Sequence, residues 1–247
     1  MKIDFSNKTV IVTGSTRGIG AAIVELFQQC NAQVIGTGTN NKELKRLNQE
    51  SKERKTNYIH LDFTSNESVQ GFLGFIDKQD KIDVLINNAG VNKIDSIQDV
   101  TEDDWDWINN VNLRGPFLLT REVSKIMQRQ GSGRIVSIAS IFGVVSKSKR
   151  AAYSTTKWGL VGLTKATALD LASHNILVNA VSPGFVDTEL TRQILGDKEI
   201  EKLLDTIPLK RLASVKEIAK TVVFLGSEHN TYITGQNIIV DGGFTSA

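Results

Sequence analysis

The stretch T-V-I-V-T-G-S-T-R-G-I-G, residues 9–20, joins a short β-branched run to a glycine-rich turn. Apolar side chains follow at helical spacing at Ile23, Val24, Leu26 and Phe27, so the pattern predicts a strand, a tight turn and a helix. Such glycines allow close backbone approach, and the helix N-terminus offers unpaired N–H groups to a pyrophosphate. The spacing is G-x-x-x-G-x-G, not G-x-G-x-x-G, and a lone glycine turn can be purely structural. Its place on the first strand of a repeating β-α pattern favours dinucleotide binding.

Strands and helices alternate to the end of the chain. The later predicted strands cover residues 33–37, 58–61, 84–86, 134–139, 176–181 and 237–240. The predicted helices include 67–76, a long helix from 103 to about 128, one running on from Tyr153, and 215–225. This order predicts an α/β fold, a Rossmann-type doubly wound parallel sheet of about seven strands with helices on both faces. We expect one domain over residues 1–247, because no linker or repeat interrupts the pattern.

The composition bears on which partners the protein binds and on the cellular compartment in which it resides. The 247 residues are 40% hydrophobic and 23% charged, with a formal net charge of +2, which gives no case for nucleic acid or a membrane surface as a partner. No apolar run approaches the ~18 residues of a spanning helix, and the N-terminus lacks the apolar region of a signal peptide. We therefore expect a cytoplasmic protein.

Neither disulfides nor metal ions are indicated. Cys30 is the only cysteine, and its place at the end of an apolar helix predicts a structural thiol. The three histidines, His60, His174 and His229, show no metal-ligand spacing.

The second strand bears on which dinucleotide would bind. It ends in G-T-G-T-N-N, without an acidic residue at its tip. A carboxylate there would accept the ribose 2′-hydroxyl of NAD and repel the 2′-phosphate of NADP. Its absence, with Arg17 in the turn and Lys42 nearby, favours NADP, although Arg17 could instead be a solvated turn residue.

Polar residues follow two further strands. Asp62 ends one strand and N-N-A-G, residues 87–90, ends the next. The carboxyl ends of parallel strands are where open α/β sheets bind ligands. Asn112 falls within the long predicted helix, where a polar amide normally has a specific partner.

Tyr153 and Lys157 are four residues apart on a predicted helix, so their side chains share one face. A phenol titrates near ~10, and a fixed cation beside it favours the ionised form, which would suit a general acid/base. Ser140, at the end of a predicted strand, adds a hydroxyl donor that could hold a carbonyl oxygen. Taken alone, a Y-x-x-x-K pair is more often a solvated helix face.

Six motifs together resemble the short-chain dehydrogenase/reductase family over essentially the whole chain. They are T-G-S-T-R-G-I-G, N-N-A-G, N-V-N-L, Ser140, the Tyr153/Lys157 pair and P-G-F-V-D-T, in the family's order and spacing. The resemblance implies a Rossmann fold and a catalytic tetrad of Asn112, Ser140, Tyr153 and Lys157. In that tetrad Tyr153 would donate a proton to the substrate oxygen, and Ser140 would hydrogen-bond to the same oxygen. Lys157 would lower the pKa of the tyrosine and bind the ribose hydroxyls. Asn112 would position a water molecule.

The resemblance also implies a set of coenzyme contacts, with Asp62 on the adenine and residues 183–188 at the nicotinamide end. The polar stretch at about 186–211 would be a mobile substrate lid, and a homotetramer built on the long helices is expected. The implied coenzyme contacts are Gly14, Ser15, Thr16, Arg17, Gly18, Ile19, Gly20, Thr39, Asp62, Phe63, Asn88, Ala89, Gly90, Tyr153, Lys157, Pro183, Gly184, Val186 and Thr188.

The substrate is less closely defined than the reaction. R-L-A-S-V-K-E-I-A and Y-I-T-G-Q-N-I-I-V-D-G-G, near the end, are most similar to the bacterial 3-oxoacyl-[acyl-carrier-protein] reductases of the family. That branch typically places arginines for the acidic carrier where this chain has Gly131 and His174, so acyl carrier protein stays an open partner. Relatives with the same motifs act on sugars, polyols or small hydroxy acids. A coenzyme-sensing protein or a sugar-nucleotide epimerase fits less well, because the tetrad is intact and no large C-terminal substrate domain follows.

One loop is unusually basic. S-K-S-K-R, residues 146–150, places Lys147, Lys149 and Arg150 between Ser140 and Tyr153, and Lys93 lies on another loop of the same site. Such a run is commonly just solvated. The alternative is that these cations attract an anionic substrate, a carboxylate or a phosphate.

Overall fold

Seven parallel strands form one sheet in the computed structural model, which describes residues 2–51 and 55–247. Their order across the sheet is β3-β2-β1-β4-β5-β6-β7, so the order reverses next to β1, as doubly wound folds require. This confirms the predicted fold class. The strands are β1 Thr9–Val12, β2 Gln33–Gly38, β3 Thr56–His60, β4 Val84–Asn87, β5 Gly133–Ile138, β6 Ile176–Pro183 and β7 Asn237–Val240.

Helices cover both faces of this sheet. Their bounds are α1 Gly18–Gln29, α2 Asn41–Glu50, α3 Asn66–Asp77, α4 Glu102–Asn109, α5 Gly115–Gln130, α6 Ala151–Leu171, α7 Glu189–Thr206 and α8 Val215–Gly226. Among the described residues, no helix is both long enough and apolar enough to cross a bilayer.

The alternation of side chains along β1 divides the core in two. Val10 and Val12 face one apolar cluster with Phe27 of α1, while Ile11 faces the other with Met127 of α5. All three β1 side chains are fully buried, as expected for a parallel strand covered on both faces. The carboxyl ends of the strands are thereby held at one common edge.

The predicted long helix at 103–128 is interrupted in the structure. A π-helical turn, Asn110–Arg114, separates α4 from α5. Pro116, in the first turn of α5, has no N–H to donate to the carbonyl of Asn112 four residues earlier, and its ring crowds that carbonyl. The sequence expectation of one regular helix was wrong for this physical reason.

Most of the stretch at 186–211 forms α7. Thr188 caps the helix by accepting a hydrogen bond from the Thr191 N–H, and Glu189 and Gln193 pair one turn apart. Gly196 breaks the helix with φ 69° and ψ 163°. The segment is therefore a helix with a kink at Gly196.

Candidate active site

Two pockets adjoin at the carboxyl edge of the sheet. The glycine-turn cleft, about 560 Å³, lies over the turn between β1 and α1. The tyrosine pocket, about 240 Å³, lies beside it and is lined by Ser140, Tyr153 and Lys157. The residues shared by both linings are Ile19, Asn88, Gly90, Val91 and Thr188. A molecule in the cleft would therefore meet one in the pocket.

The glycine turn is packed too tightly for side chains. Gly14 has φ 59°, and a Cβ there would lie 2.8 Å from the Ala89 Cα. A Cβ on Gly20 would lie 2.3 Å from the Gly14 oxygen. The Asn88 Nδ2 donates to the carbonyl oxygens of Thr13 and Gly14 at 2.8 and 2.9 Å, so Asn88 holds the turn in place from β4.

The start of α1 is open to an anion. Arg17 is the N-cap residue, and its side chain makes no capping hydrogen bond among the residues that the structure describes. Helices α2, α3, α4, α7 and α8 each have a side-chain cap at this position. The first N–H groups of α1 therefore face the cleft with the positive end of the helix dipole.

Most of the residues expected to contact a coenzyme line one of the two pockets. Ser15 is the exception, since it lines neither pocket, is 1% exposed, and its hydroxyl donates to the Thr37 carbonyl oxygen at 3.2 Å. Asp62 lines the cleft, with Oδ1 accepting hydrogen bonds from the Thr64 N–H and hydroxyl. Pro183, Gly184 and Val186 line the tyrosine pocket rather than the cleft.

The Tyr153 phenol faces Ser140 in the tyrosine pocket. Burial raises the pKa of Tyr153 above its ordinary value of 10, while a hydrogen bond with Ser140 and the charge of Arg150 act in the opposite direction. Sequence reasoning expected Lys157 to lower this pKa. Desolvation is the largest effect on this pKa in the structure, and the charge of Arg150 acts against it.

Lys157 is fixed by the backbone of β5. Its Nζ donates to the carbonyl oxygen of Ile138 at 2.8 Å and lies 5.5 Å from the centre of the Tyr153 ring. The side chain is 3% exposed, and this burial lowers the pKa of Lys157 from 10.5 to about 8.

Asn112 lies behind the pocket wall and lines neither pocket. Its Oδ1 accepts from the Val91 N–H at 2.8 Å, and its Nδ2 donates to the Val91 carbonyl oxygen at 2.9 Å and to the Thr156 hydroxyl at 3.2 Å. A Cβ on Gly90 would lie 3.6 Å from both Asn112 Oδ1 and Lys157 Nζ. Asn112 therefore ties the loop after β4 to α6 within reach of Lys157.

Several residues of the tyrosine pocket were not singled out by sequence reasoning. Phe142 packs edge-on against both Tyr153 and Phe185, with ring centres 6.3 Å apart in each case. Asn92 also lines this pocket. Phe185 lies inside the P-G-F-V-D-T motif and Phe142 lies two residues after Ser140, so proximity to those motifs was the available signal.

The described part of the chain holds no group of three or more His, Cys, Asp or Glu side chains arranged for a metal ion.

Comparisons with known proteins agree with this geometry. A family model described as enoyl-(acyl carrier protein) reductase matches residues 14–245. The 3-oxoacyl-[acyl-carrier-protein] reductase FabG of Aquifex aeolicus (strain VF5) is 40% identical over 247 residues, covering 98% of this chain and 99% of the relative. The chain belongs to the short-chain dehydrogenase/reductase family, and it is an oxidoreductase.

Solved structures add a second group of relatives. A protein from Agrobacterium tumefaciens assigned as a gluconate dehydrogenase superposes with a TM-score of 0.94 at 30% identity, over 100% of this chain and 99% of that one. The gluconate 5-dehydrogenase from Burkholderia cenocepacia J2315, solved with NADP and tartrate, has a TM-score of 0.91 at 28% identity, over 100% and 98%. Sequence and structure thus point to relatives with different substrates.

Proposed function

We propose that this chain interconverts a ketone and a secondary alcohol with NADP(H), using Tyr153 as the general acid/base. The observation that carries the proposal is that Ser140, Tyr153 and Lys157 line one pocket, and that this pocket shares lining residues with the glycine-turn cleft. A carbonyl held against Ser140 and Tyr153 would lie beside any nicotinamide reaching out of the cleft.

The coenzyme supplies or accepts a hydride at its nicotinamide when it is bound. In the reducing direction, Tyr153 donates its phenol proton to the substrate oxygen while the Ser140 hydroxyl donates a hydrogen bond to the same oxygen. A phenol whose pKa is raised by burial keeps that proton at neutral pH, which suits an acid acting in reduction.

Lys157 and Asn112 support this step in different ways. The ammonium of Lys157 stabilises the tyrosinate left after proton transfer and would bind the ribose hydroxyls. Asn112 positions the loop at Val91 through two hydrogen bonds. Its backbone carbonyl, which Pro116 cannot satisfy, would hold a water that returns a proton to the site.

The cleft suits NADP(H) better than NAD(H). Thr39 lines the cleft just beyond β2, at the place where a carboxylate would select against a 2′-phosphate. Arg17 lines the same cleft, and its positive charge would attract the 2′-phosphate of NADP. The Burkholderia cenocepacia relative, solved with NADP, supports the same choice.

The first substrate class is a 3-oxoacyl thioester, supported by the identity to 3-oxoacyl-[acyl-carrier-protein] reductases. Docking of an acyl carrier protein is a separate matter. Gly131 ends α5 with φ 70° and His174 lies in a short 3₁₀ turn after α6. Neither offers the guanidinium that carrier-binding relatives typically place there, so free thioesters are the first to test.

A sugar acid is the second substrate class. The gluconate dehydrogenases that superpose on the chain favour it, and so does the presence of Arg150 in the tyrosine pocket.

We propose that residues 186–211 form the substrate lid. Its hinges would lie where Val186 pairs with Ala213 and at the Gly196 kink.

We also propose a homotetramer in the cytoplasm, where NADPH is available to a reductase. Apolar side chains stand out from the helices expected at the subunit interface, with exposures of 44% for Phe117, 52% for Trp158 and 82% for Leu169. Light scattering after size exclusion tests this, and Leu169→Lys should shift the mass toward smaller species.

The test of the reaction is a screen of the purified protein with NADPH and with NADH. The substrates are an acetoacetyl thioester, free and carrier-bound, 5-ketogluconate, L-sorbose and simple ketones, with coenzyme oxidation as the readout. We expect turnover of at least one ketone with NADPH. Failure of every ketone to be reduced with either coenzyme would overturn the proposed reaction.

A further inference from the structure

The four cations that the sequence places around the site have different environments in the structure. Lys93 pairs with the carboxylate of Asp104. Lys147 and Lys149 are exposed on the loop before α6. Arg150 alone of the four lines the tyrosine pocket.

One nitrogen of the half-buried Arg150 side chain is unpaired beside an aromatic ring. Its Cζ lies 5.4 Å from the centre of the Phe142 ring, and its Nη1 is buried without a hydrogen-bond partner among the described residues. Burial lowers the pKa of Arg150, although a guanidinium stays charged at neutral pH. A buried donor on a cation is costly to leave unmatched.

The pocket offers this cation no internal counter-charge. Arg150 and Lys157 are the charged residues in its described lining, and no carboxylate lines it within the described ranges. A guanidinium presents two parallel N–H groups that match the two oxygens of a carboxylate. An anion from outside the chain would supply the missing partner.

A second polar atom in the same pocket is also unmatched. The Oδ1 of Asn92 is buried and has no hydrogen-bond partner in the described part of the chain. An amide oxygen accepts hydrogen bonds and would be satisfied by a hydroxyl donor. One pocket thus holds an unpaired donor on a cation and an unpaired neutral acceptor.

We infer that Arg150 binds a carboxylate of the substrate and that Asn92 accepts a hydrogen bond from one of its hydroxyl groups. The substrate is then a hydroxylated keto acid and the product the corresponding hydroxy acid. This inference rests on the proposed function and selects the second substrate class. An uncharged 3-oxoacyl thioester would leave both Arg150 and Asn92 unmatched.

Three ketones separate the two contacts. 5-Ketogluconate carries the carboxylate and the hydroxyls, 5-oxohexanoate keeps the same carbonyl-to-carboxylate spacing without hydroxyls, and methyl 5-oxohexanoate lacks the charge as well. Acetoacetyl-N-acetylcysteamine serves as an uncharged thioester. For each, kcat/KM with NADPH is measured in the native protein, Arg150→Gln, Asn92→Ala and Lys147→Gln, the last removing a charge from the same loop outside the pocket.

In the native protein we expect kcat/KM to be at least about tenfold higher for 5-oxohexanoate than for its methyl ester. Arg150→Gln should bring this ratio close to one, whereas Lys147→Gln should leave it unchanged. Asn92→Ala should lower kcat/KM for 5-ketogluconate about fivefold or more without changing that for 5-oxohexanoate. A native preference for the thioester or the ester, or an acid preference that survives Arg150→Gln, would overturn the inference.

A binding measurement keeps this inference separate from the proposed reaction. Calorimetric titration of 5-ketogluconate into the NADP complex needs no turnover, so it applies even if every ketone fails as a substrate. We expect binding in the native protein and in Lys147→Gln, and at least about tenfold weaker binding in Arg150→Gln. Equal affinities in native and Arg150→Gln proteins, or no binding to the native protein, would refute the carboxylate contact whatever the kinetic screen shows.

Discussion

The Lys157 ammonium lies 5.5 Å from the centre of the Tyr153 ring, one helical turn away on α6. It is held there by its hydrogen bond to the carbonyl oxygen of Ile138. The pair is therefore positioned by the sheet before any ligand binds. Because the site is buried, it disfavours charge on both groups, which raises the pKa of Tyr153 and lowers the pKa of Lys157.

This arrangement makes stability depend on pH. Lys157 has a pKa of about 8 in the folded chain and an ordinary value of 10.5. At about 1.4 kcal/mol per pH unit, its protonated form costs about 3 kcal/mol of folding free energy below pH 8, and this cost declines as the pH rises toward 10.5. Urea denaturation of the native protein and Lys157→Met should show the native protein gaining about 2 kcal/mol relative to the variant between pH 7 and pH 9.5.

The upper limit of that range keeps tyrosines out of the comparison, since the ordinary pKa of a phenol is near ~10. Because Tyr153 has a raised pKa, its titration lowers the free energy of unfolding as the pH rises. This effect is opposite in sign to that of Lys157 and appears only above pH 9.5. A native-minus-variant difference that stays constant from pH 7 to pH 9.5 would contradict the assignment to Lys157.

Asn112→Ala should loosen the loop after β4. The substitution leaves the half-buried Val91 N–H without its acceptor, so we expect the free energy of unfolding to fall by about 1–2 kcal/mol and NADP binding to weaken at least about tenfold. Asn109→Ala is the matched control, because the Asn109 side chain donates to the Trp105 carbonyl oxygen one turn earlier on the same helix and makes no other hydrogen bond among the described residues. Similar losses in the two variants would show that Asn112 has no special role.

Thr39→Asp should reverse the coenzyme preference. A carboxylate at this position of the cleft would repel the 2′-phosphate of NADP and accept a hydrogen bond from the 2′-hydroxyl of NAD. We expect the ratio of kcat/KM for NADPH to that for NADH to fall at least about a hundredfold, starting from above one. Thr39→Ser controls for the loss of the threonine methyl, and a native enzyme that prefers NADH would sink the choice of NADP.

Sequence periodicity was sufficient to predict the sheet and the glycine turn, because each depends on short segments with strong local patterns. The run at 9–12 is β-branched and apolar, and it is followed by a glycine whose φ of 59° few other residues would adopt. The tetrad followed from family resemblance, and the structure brings Ser140, Tyr153 and Lys157 into one pocket.

Other features depend on contacts that local patterns do not encode. The π-helical turn at Asn112 arises from Pro116 and from bonds to Val91 and Thr156, which are distant in sequence. The pKa of Tyr153 depends on how deeply α6 is packed, which adjacency to Lys157 in the sequence does not indicate. Likewise, the charge run at 146–150 could not indicate that only Arg150 enters the pocket.

Proton transfer by Tyr153 is tested most directly by measuring both turnover and coenzyme binding in Tyr153→Phe. The variant removes only the phenol oxygen, so we expect kcat with the best ketone from the screen to fall at least about a thousandfold, while the Kd for NADPH changes less than about threefold. Lys157→Ala should damage both quantities. A Tyr153→Phe enzyme that keeps near-native kcat would contradict the assignment of Tyr153 as the general acid/base.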